Sequence, residues 1–306
     1  MPCVLFHANG GPEYGLGHIM RVVALAEEAM DQGWDARLIG IFDGRSRRLL
    51  AAQVPQLPVV DVAERRSLPA ALSDQARSFR PDVFHLDTYW LAAEDVPLGG
   101  WRVSNQQDAE FGDRPADVHV DSALGAVRSS HRGEWLLGPE YAPIRQQVRR
   151  LRREPKLWRR VPRTLLMLGG ADIGGHTADL ASRLRSDFAG QLDLTIPEFV
   201  TDLPALAVEH DLVVCAGGTS TWDFMCMGVP IAMVCVADNQ EEIYRHLIAA
   251  RYASGLGNLV ADRDLNLQPL AALLAEPGET QSMAIRSQQL VDGEGVRRIV
   301  DAWGAA

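Results

Sequence analysis

Apolar and polar positions along this chain alternate between two periods. Residues 3–6 form a short apolar run and predict a strand. Over residues 19–30, Val22, Val23, Leu25, Ala26 and Ala29 gather on one side of a helical period and predict a helix. Residues 36–41 predict a second strand. Residues 81–87 open on Pro81, continue through Val83-Phe84-His85-Leu86 and close on Asp87, so a turn, an apolar strand and an acid follow in order. Residues 102–105 and 118–120 are further strand candidates.

The alternation pauses over residues 141–162 and then restarts. Residues 164–168, 192–196, 212–215 and 231–235 read as strands, and residues 176–188, 219–227, 241–250 and 296–303 as helices. Strands alternating with helices imply parallel sheets covered on both faces. The expected fold class is therefore α/β, with two Rossmann-like, doubly wound domains facing a cleft. Their expected spans are residues 1–158 and 159–306, with the last helix packing back on the first domain. The pause carries Arg149, Arg150, Arg152, Arg153, Arg159 and Arg160, a charge run expected to be a solvated helix. Trp158 among these charges suggests a surface that touches something.

Composition narrows the classes. The 306 residues are 47% hydrophobic, enough for two cores, which excludes a disordered chain. A formal charge of −10 argues against a nucleic-acid partner. It leaves room for a phosphate ligand, because a local set of backbone N–H groups can hold an anion inside an acidic protein. No run approaches the roughly 18–20 apolar residues of a membrane span, and residues 1–6 lack the features of a signal peptide. The cytoplasm is the expected compartment. The four cysteines, Cys3, Cys215, Cys226 and Cys235, form no CxxC pair and have no histidine at zinc-finger spacing. No metal and no cofactor is expected.

Three constellations carry chemistry. Gly15-Leu16-Gly17-His18-Ile19-Met20-Arg21 follows the first strand and opens the first helix. The helix N-terminus offers unpaired N–H groups and a positive dipole end. His18 lies at the carboxyl end of the sheet, where open α/β folds bind ligands. The dipole disfavours a charged imidazole there, which suits a general base. No third glycine completes a dinucleotide fingerprint, and no acid ends the second strand, so a nicotinamide site is not indicated. The second constellation, Leu168-Gly169-Gly170-Ala171-Asp172, ends a strand of the second half, and its Gly169 and Gly170 are candidate substrate contacts. The third runs from Asp211 through Gly217-Gly218-Thr219-Ser220 to Asp223. Its double glycine and hydroxyl residues at a helix start suit a phosphate. Asp223 lies about one turn further in, where a carboxylate can accept from ribose hydroxyls. Asn239 and Gln240 follow the next strand.

These residues, in this order, resemble the GT-B nucleotide-sugar enzymes related to MurG. The branch most resembled is that of the PseG-like UDP-sugar hydrolases and the SpsG-type proteins of spore-coat polysaccharide. Asp87-Thr88-Tyr89 is similar to that branch's Asp-x-Tyr segment. Gly138-Pro139-Glu140-Tyr141, running on to Arg145, is similar to its Gly-x-x-Tyr segment. Asp292-Gly293-Glu294-Gly295 with Arg298 is similar to its C-terminal signature. The resemblance implies a nucleotide held mainly by the second domain and no metal. It implies His18 as the catalytic histidine, Tyr89 near the reacting sugar and sugar contacts near Asn239 and Gln240, and Asp87 of the matching Asp-x-Tyr segment joins the catalytic candidates. Arg21, Asp108 and Tyr141 lie in the matching segments and join the candidate substrate contacts. Asp223 stands where the branch often carries Glu, and Asn105-Gln106-Gln107-Asp108 replaces a more acidic pair.

The expected partner is a nucleotide-sugar, of the uridine diphosphate type. Hydrolysis of its anomeric C–O bond, with His18 activating water, is the leading expectation. The alternative is a glycosyltransferase that moves the sugar to a hydroxyl acceptor in polysaccharide or natural-product biosynthesis. A non-catalytic nucleotide-sugar sensor is the reading from another class, and His18 with Tyr89 argues against it.

Overall fold

The computed structural model describes residues 1–158, 160–169, 172–198, 200–261 and 264–304. The chain divides into two units, Met1–Gln146 with Gly293–Ala306, and Gln147–Asp292. The boundary expected at 158/159 thus falls at 146/147.

The first unit holds β1 (Cys3–Ala8), α1 (Gly17–Asp31), β2 (Asp35–Gly40), α2 (Gly44–Gln53), β3 (Val59–Asp61), α3 (Leu68–Phe79), β4 (Val83–Asp87), β5 (Arg102–Gln106), β6 (Val118–Asp121) and β7 (Glu134–Leu137). Its seven strands run β3-β2-β1-β4-β5-β6-β7, all parallel. The order reverses direction between β1 and β4, and this is where open α/β sheets bind ligands. Alternation along each strand sorts the side chains between the two faces. Val4, Phe6 and Ala8 join the core with α1, while Leu5, Phe84 and Leu86 join Leu72 and Ala76 of α3. The same alternation puts Asp87 on the face of Val83, the α1 side. Helix α3 stops at Arg80, which takes a left-handed φ of 52° just before Pro81.

The second unit holds α4 (Gln146–Arg150, beginning at the boundary), β8 (Arg163–Met167), α5 (Thr177–Asp187), β9 (Asp193–Thr195), α6 (Leu203–Val208), β10 (Leu212–Ala216), α7 (Ser220–Met227), β11 (Ile231–Cys235), α8 (Glu241–Ala249), β12 (Ser254–Asn258), α9 (Gln268–Ala275) and α10 (Pro277–Leu290). Its five strands run β12-β11-β10-β8-β9, again parallel. Here the reversal lies between β8 and β10. Leu166, Val214 and Val234 meet Leu180 and Leu184 of α5 and Leu270 of α9 in one core. Helix α7 ends at Gly228, whose φ of 74° is left-handed, and Pro230 leads into β11.

The last helix, α11 (Gly295–Gly304), belongs to the first unit. Val296, Ile299, Val300 and Trp303 enter the α1 core, each burial stabilising by about 1.5–3 kcal/mol. The Trp303 indole N–H donates to Ser104 Oγ at 2.9 Å. Gly295 is required by proximity, since a Cβ there would lie 2.3 Å from the Ala142 carbonyl oxygen.

The arginine run is solvated at Arg150, Arg152 and Arg160, but it is not one continuous helix. The helix ends at Arg150. Arg152 donates to the backbone carbonyls of Cys226 (3.1 Å), Val291 (2.8 Å) and Gln288 (2.9 Å), tying the ends of α7 and α10. Trp158 is buried. A guanidinium has five donors in a fixed fork, so it can satisfy several helix-end carbonyls at once. Arg159 lies outside the described residues.

Candidate active site

Five sequence-predicted residues converge at the strand-order reversal of the first unit. His18 and Arg21 are three apart on α1 and share one face of it. Asp87 ends β4 on that same side. His18 Nδ1 lies 2.6 Å from Asp87 Oδ1, and Arg21 Nε and Nη2 donate to Asp87 Oδ2 and Oδ1 at 2.8 and 2.7 Å. Arg21 Nη1 donates to both oxygens of Asp108, each at 2.8 Å. The Tyr89 hydroxyl donates to Asp108 Oδ2. The Tyr89 ring stands edge-on to the His18 ring, with centroids 4.5 Å apart and planes at 83°.

The charge of Asp87 orients the His18 ring. Burial raises the pKa of Asp87, yet the Arg21 guanidinium and then His18 outweigh it and hold the carboxyl well below its ordinary range. An ionised carboxylate only accepts, so the Nδ1 proton points at Asp87 and Nε2 carries the ring's lone pair. Burial lowers the pKa of Arg21, and Asp108 and Asp87 reverse that and raise it well above normal. Two carboxylates face one guanidinium, so a positive charge developing on the imidazole is met by the surplus negative charge. Removing Asp87 alone would leave Arg21 paired with Asp108 but with Nε and Nη2 deprived of their carboxylate, a cost of about 1–3 kcal/mol.

The remaining predicted residues of this unit behave differently. Gly15 has a φ of 73° and open space beside it, and Gly17 is the first residue of α1. Tyr141 packs against the apolar core in the turn that meets α11.

Sequence reasoning missed two partners of the cluster. Arg114, held near 10 by burial, donates from Nη2 to the Thr88 carbonyl and from Nε to the Gly112 carbonyl at 3.2 Å. Asp121 ends β6, and burial followed by the charge of Asp108 raises its pKa to about 6. An acid closing an apolar strand, the pattern that singled out Asp87, was also present at Val118-His119-Val120-Asp121 and could have found it.

The second unit presents backbone rather than charge. Gly169 follows β8 with a φ of 101°, and Gly217, Gly218 and Thr219 join β10 to α7. These two turns flank that unit's own strand-order reversal. A Cβ at Gly169 or Gly218 would meet nothing within 4 Å, so both turns border open space. Ser220 begins α7, and no side chain caps that helix from Thr219. Asp223 is buried in the first turn of α7. Gln240 Oε1 accepts from the Val236 N–H at 3.1 Å, tying the loop that also carries the half-buried Asn239. Gly170 lies outside the described residues. Among the described residues, no group of three His, Cys, Asp or Glu is placed to hold a metal ion. No helix among them is long and apolar enough to cross a membrane.

Two parallel sheets with these strand orders, each with its candidate groups at the reversal, define the GT-B class of α/β proteins, and solved structures of that class superpose on the whole chain. The crystal structure of MurG from Acinetobacter baumannii matches with a TM-score of 0.67 at 15% identity, covering 100% of both chains. The glycosyltransferase VinC, solved in complex with dTDP, matches with a TM-score of 0.62 at 16% identity, covering 99% of this chain and 100% of its own. In sequence, the chain is 21% identical to the spore coat polysaccharide biosynthesis protein SpsG of Bacillus subtilis, over 95% of each. No family model matches the chain. The similarity expected from the motifs, to SpsG-type proteins within the MurG-related GT-B fold, is the one these comparisons find.

Proposed function

We propose that this protein is a nucleotide-sugar-dependent glycosyltransferase in which His18 Nε2 is the general base. The observation that carries the proposal is the 2.6 Å pair between His18 Nδ1 and Asp87 Oδ1. It orients the ring, leaves Nε2 able to take a proton, and provides a counter-charge for the imidazolium. In the reaction the acceptor hydroxyl gives its proton to Nε2 as its oxygen attacks the anomeric carbon. The bond from that carbon to the diphosphate oxygen breaks, and the nucleoside diphosphate leaves with the electron pair.

The second unit takes the nucleotide in this reading. Backbone N–H groups at Gly217, Gly218, Thr219 and Ser220 face the departing diphosphate, where preorganised donors stabilise developing charge. Asp223 accepts from ribose, and Gly169 lets the backbone approach closely. Asn239 and Gln240 are the sugar contacts proposed for the second unit, and Tyr89, Arg21 and Asp108 the substrate contacts proposed for the first. The similar proteins favour transfer over hydrolysis: MurG and VinC share the fold, and VinC is a glycosyltransferase solved with dTDP. The donor is a uridine or thymidine diphosphate sugar. The kinship with SpsG favours an acceptor in polysaccharide assembly.

The test is nucleotide release from a panel of UDP- and TDP-sugars, with and without fluorescently tagged saccharide acceptors. Acceptor-dependent release that His18→Ala lowers by about 10²–10⁴-fold, with donor binding retained, supports transfer. Equal release without acceptor means that water is the nucleophile. Full turnover by His18→Ala, or no thermal shift with any nucleotide, overturns the proposal.

A further inference from the structure

Asp121 touches neither His18 nor Asp87, and the fold keeps it 1% exposed at the end of β6. Both of its carboxylate oxygens are used. Oδ2 accepts from the backbone N–H of Ala109 at 3.0 Å and Oδ1 from that of Ala123 at 2.9 Å. Ala109 sits in the left-handed region with a φ of 54°, a conformation that costs a non-glycine residue energy. It lies inside a tight turn closed by two bonds of 3.0 Å between the backbones of Asp108 and Phe111.

That turn holds the cluster from two sides. Its Asp108 carboxylate takes both bonds from Arg21 Nη1 and the one from the Tyr89 hydroxyl. Its Phe111 ring lies 5.7 Å from the Tyr89 ring. Tyr89 is therefore gripped at its hydroxyl by Asp108 and at its ring by Phe111, and it faces His18 edge-on. Whatever sets the turn sets the wall beside the imidazole.

We propose that Asp121 is a positioning residue, the latch that holds the 108–111 turn so that Asp108 and Phe111 fix Arg21 and Tyr89 against His18; the proposal rests on the transfer reading above. The chemistry calls for a carboxylate. Two N–H donors converge on it, and an amide in its place has one acceptor oxygen and would turn an NH2 group toward the second donor. The latch is retained although burial and the neighbouring Asp108 disfavour its charge, with Arg21 the cation that partly offsets them.

The test uses Asp121→Asn, Ala109→Gly and the double variant, with kcat and donor KM on the nucleotide-sugar panel and amide hydrogen exchange as readouts. Asp121→Asn is expected to lower kcat by about 10–100-fold, the scale of a small misplacement at a reacting centre. Donor KM stays within about twofold, because donor binding is a separate term from the chemical step. Exchange quickens at residues 108–111 and at Ala123, whose N–H also donates to Asp121, and holds elsewhere. Ala109→Gly in the Asp121→Asn background recovers part of kcat, since glycine adopts positive φ without strain. Unchanged kcat in Asp121→Asn overturns the latch, and so does a fall in kcat accompanied by faster exchange throughout the sheet. Absence of turnover in the unaltered protein defeats the transfer reading alone. The latch is then judged by exchange at 108–111, and an unchanged rate there in Asp121→Asn overturns it.

Discussion

Both units carry their candidate groups where the strand order reverses, but the first equips that point with charged side chains and the second with bare backbone. In the first, Asp87, Arg21, Asp108 and His18 satisfy one another at 2.6–2.8 Å before any substrate arrives. In the second, Gly169 and Gly218 border open space, and the helix start has no side-chain cap. A proton acceptor needs a fixed orientation and a counter-charge, which only paired side chains give. A diphosphate needs many donors and close approach, which only uncapped backbone without a Cβ gives. On the proposed function, the same topology would serve two tasks through opposite use of side chains.

The largest effect that tests this contrast is Asp87→Asn. The amide frees His18 to take the wrong tautomer and leaves the buried Arg21 with Asp108 as its one carboxylate. Turnover is expected to fall about 10⁴-fold, as when the orienting carboxylate of a catalytic histidine is made an amide. Stability in urea is expected to fall by about 1–3 kcal/mol. A variant that keeps both would show that the charged cluster is ornamental.

The mirror experiment in the second unit is Gly218→Val. Its Cβ meets nothing within 4 Å, so stability should move by no more than about 0.5 kcal/mol. The side chain fills the open space, and UDP or TDP affinity by calorimetry should drop by at least about 10-fold, roughly 1.4 kcal/mol. Loss of folding together with affinity would mean that this turn too is built on packing.

The pH dependence of the two buried carboxylates separates them further, because it has opposite signs. Asp87 has a depressed folded pKa, so its contribution to stability is present above the ordinary carboxylate pKa of 3.8 and is lost as pH falls below it. Asp121 has a raised one, so its contribution is full below 3.8 and is lost as pH rises through about 6. A shift of that size is worth about 3 kcal/mol. Urea unfolding of Asp121→Asn between pH 4 and 7 should lack that fall, and an identical slope in both proteins would contradict the raised pKa.

Much of this was legible before the fold was seen. The strand–helix alternation, the pair His18 and Arg21 on one helical face and the acid closing β4 are all local patterns, and the structure brings these residues together. The edge strand β3 left no comparable signal, since three residues are too few for a period, whereas α3 carries Leu68, Leu72 and Ala76 on one buried face, a pattern that could have found it. The arginine run misled because it was read as one helix, whereas the exposed Arg152 lies past the helix end and ties carbonyls of residues up to 139 positions away. Tyr141 was singled out with the substrate contacts, and the structure seats it against the core beside α11.

The sequence by itself determined the fold class, the acid that closes β4, the pair His18 and Arg21 on one face of α1, and the double-glycine turn before α7, because periodicity, side-chain type and turn residues act over a few positions. Only the tertiary structure decided the strand orders, the unit boundary at 146/147, the Arg21 bridge to Asp108 across 87 positions and the place of Asp121 beneath the turn. Parallel strands pair through long crossovers, so which strand ends become neighbours is settled by packing over the whole sheet.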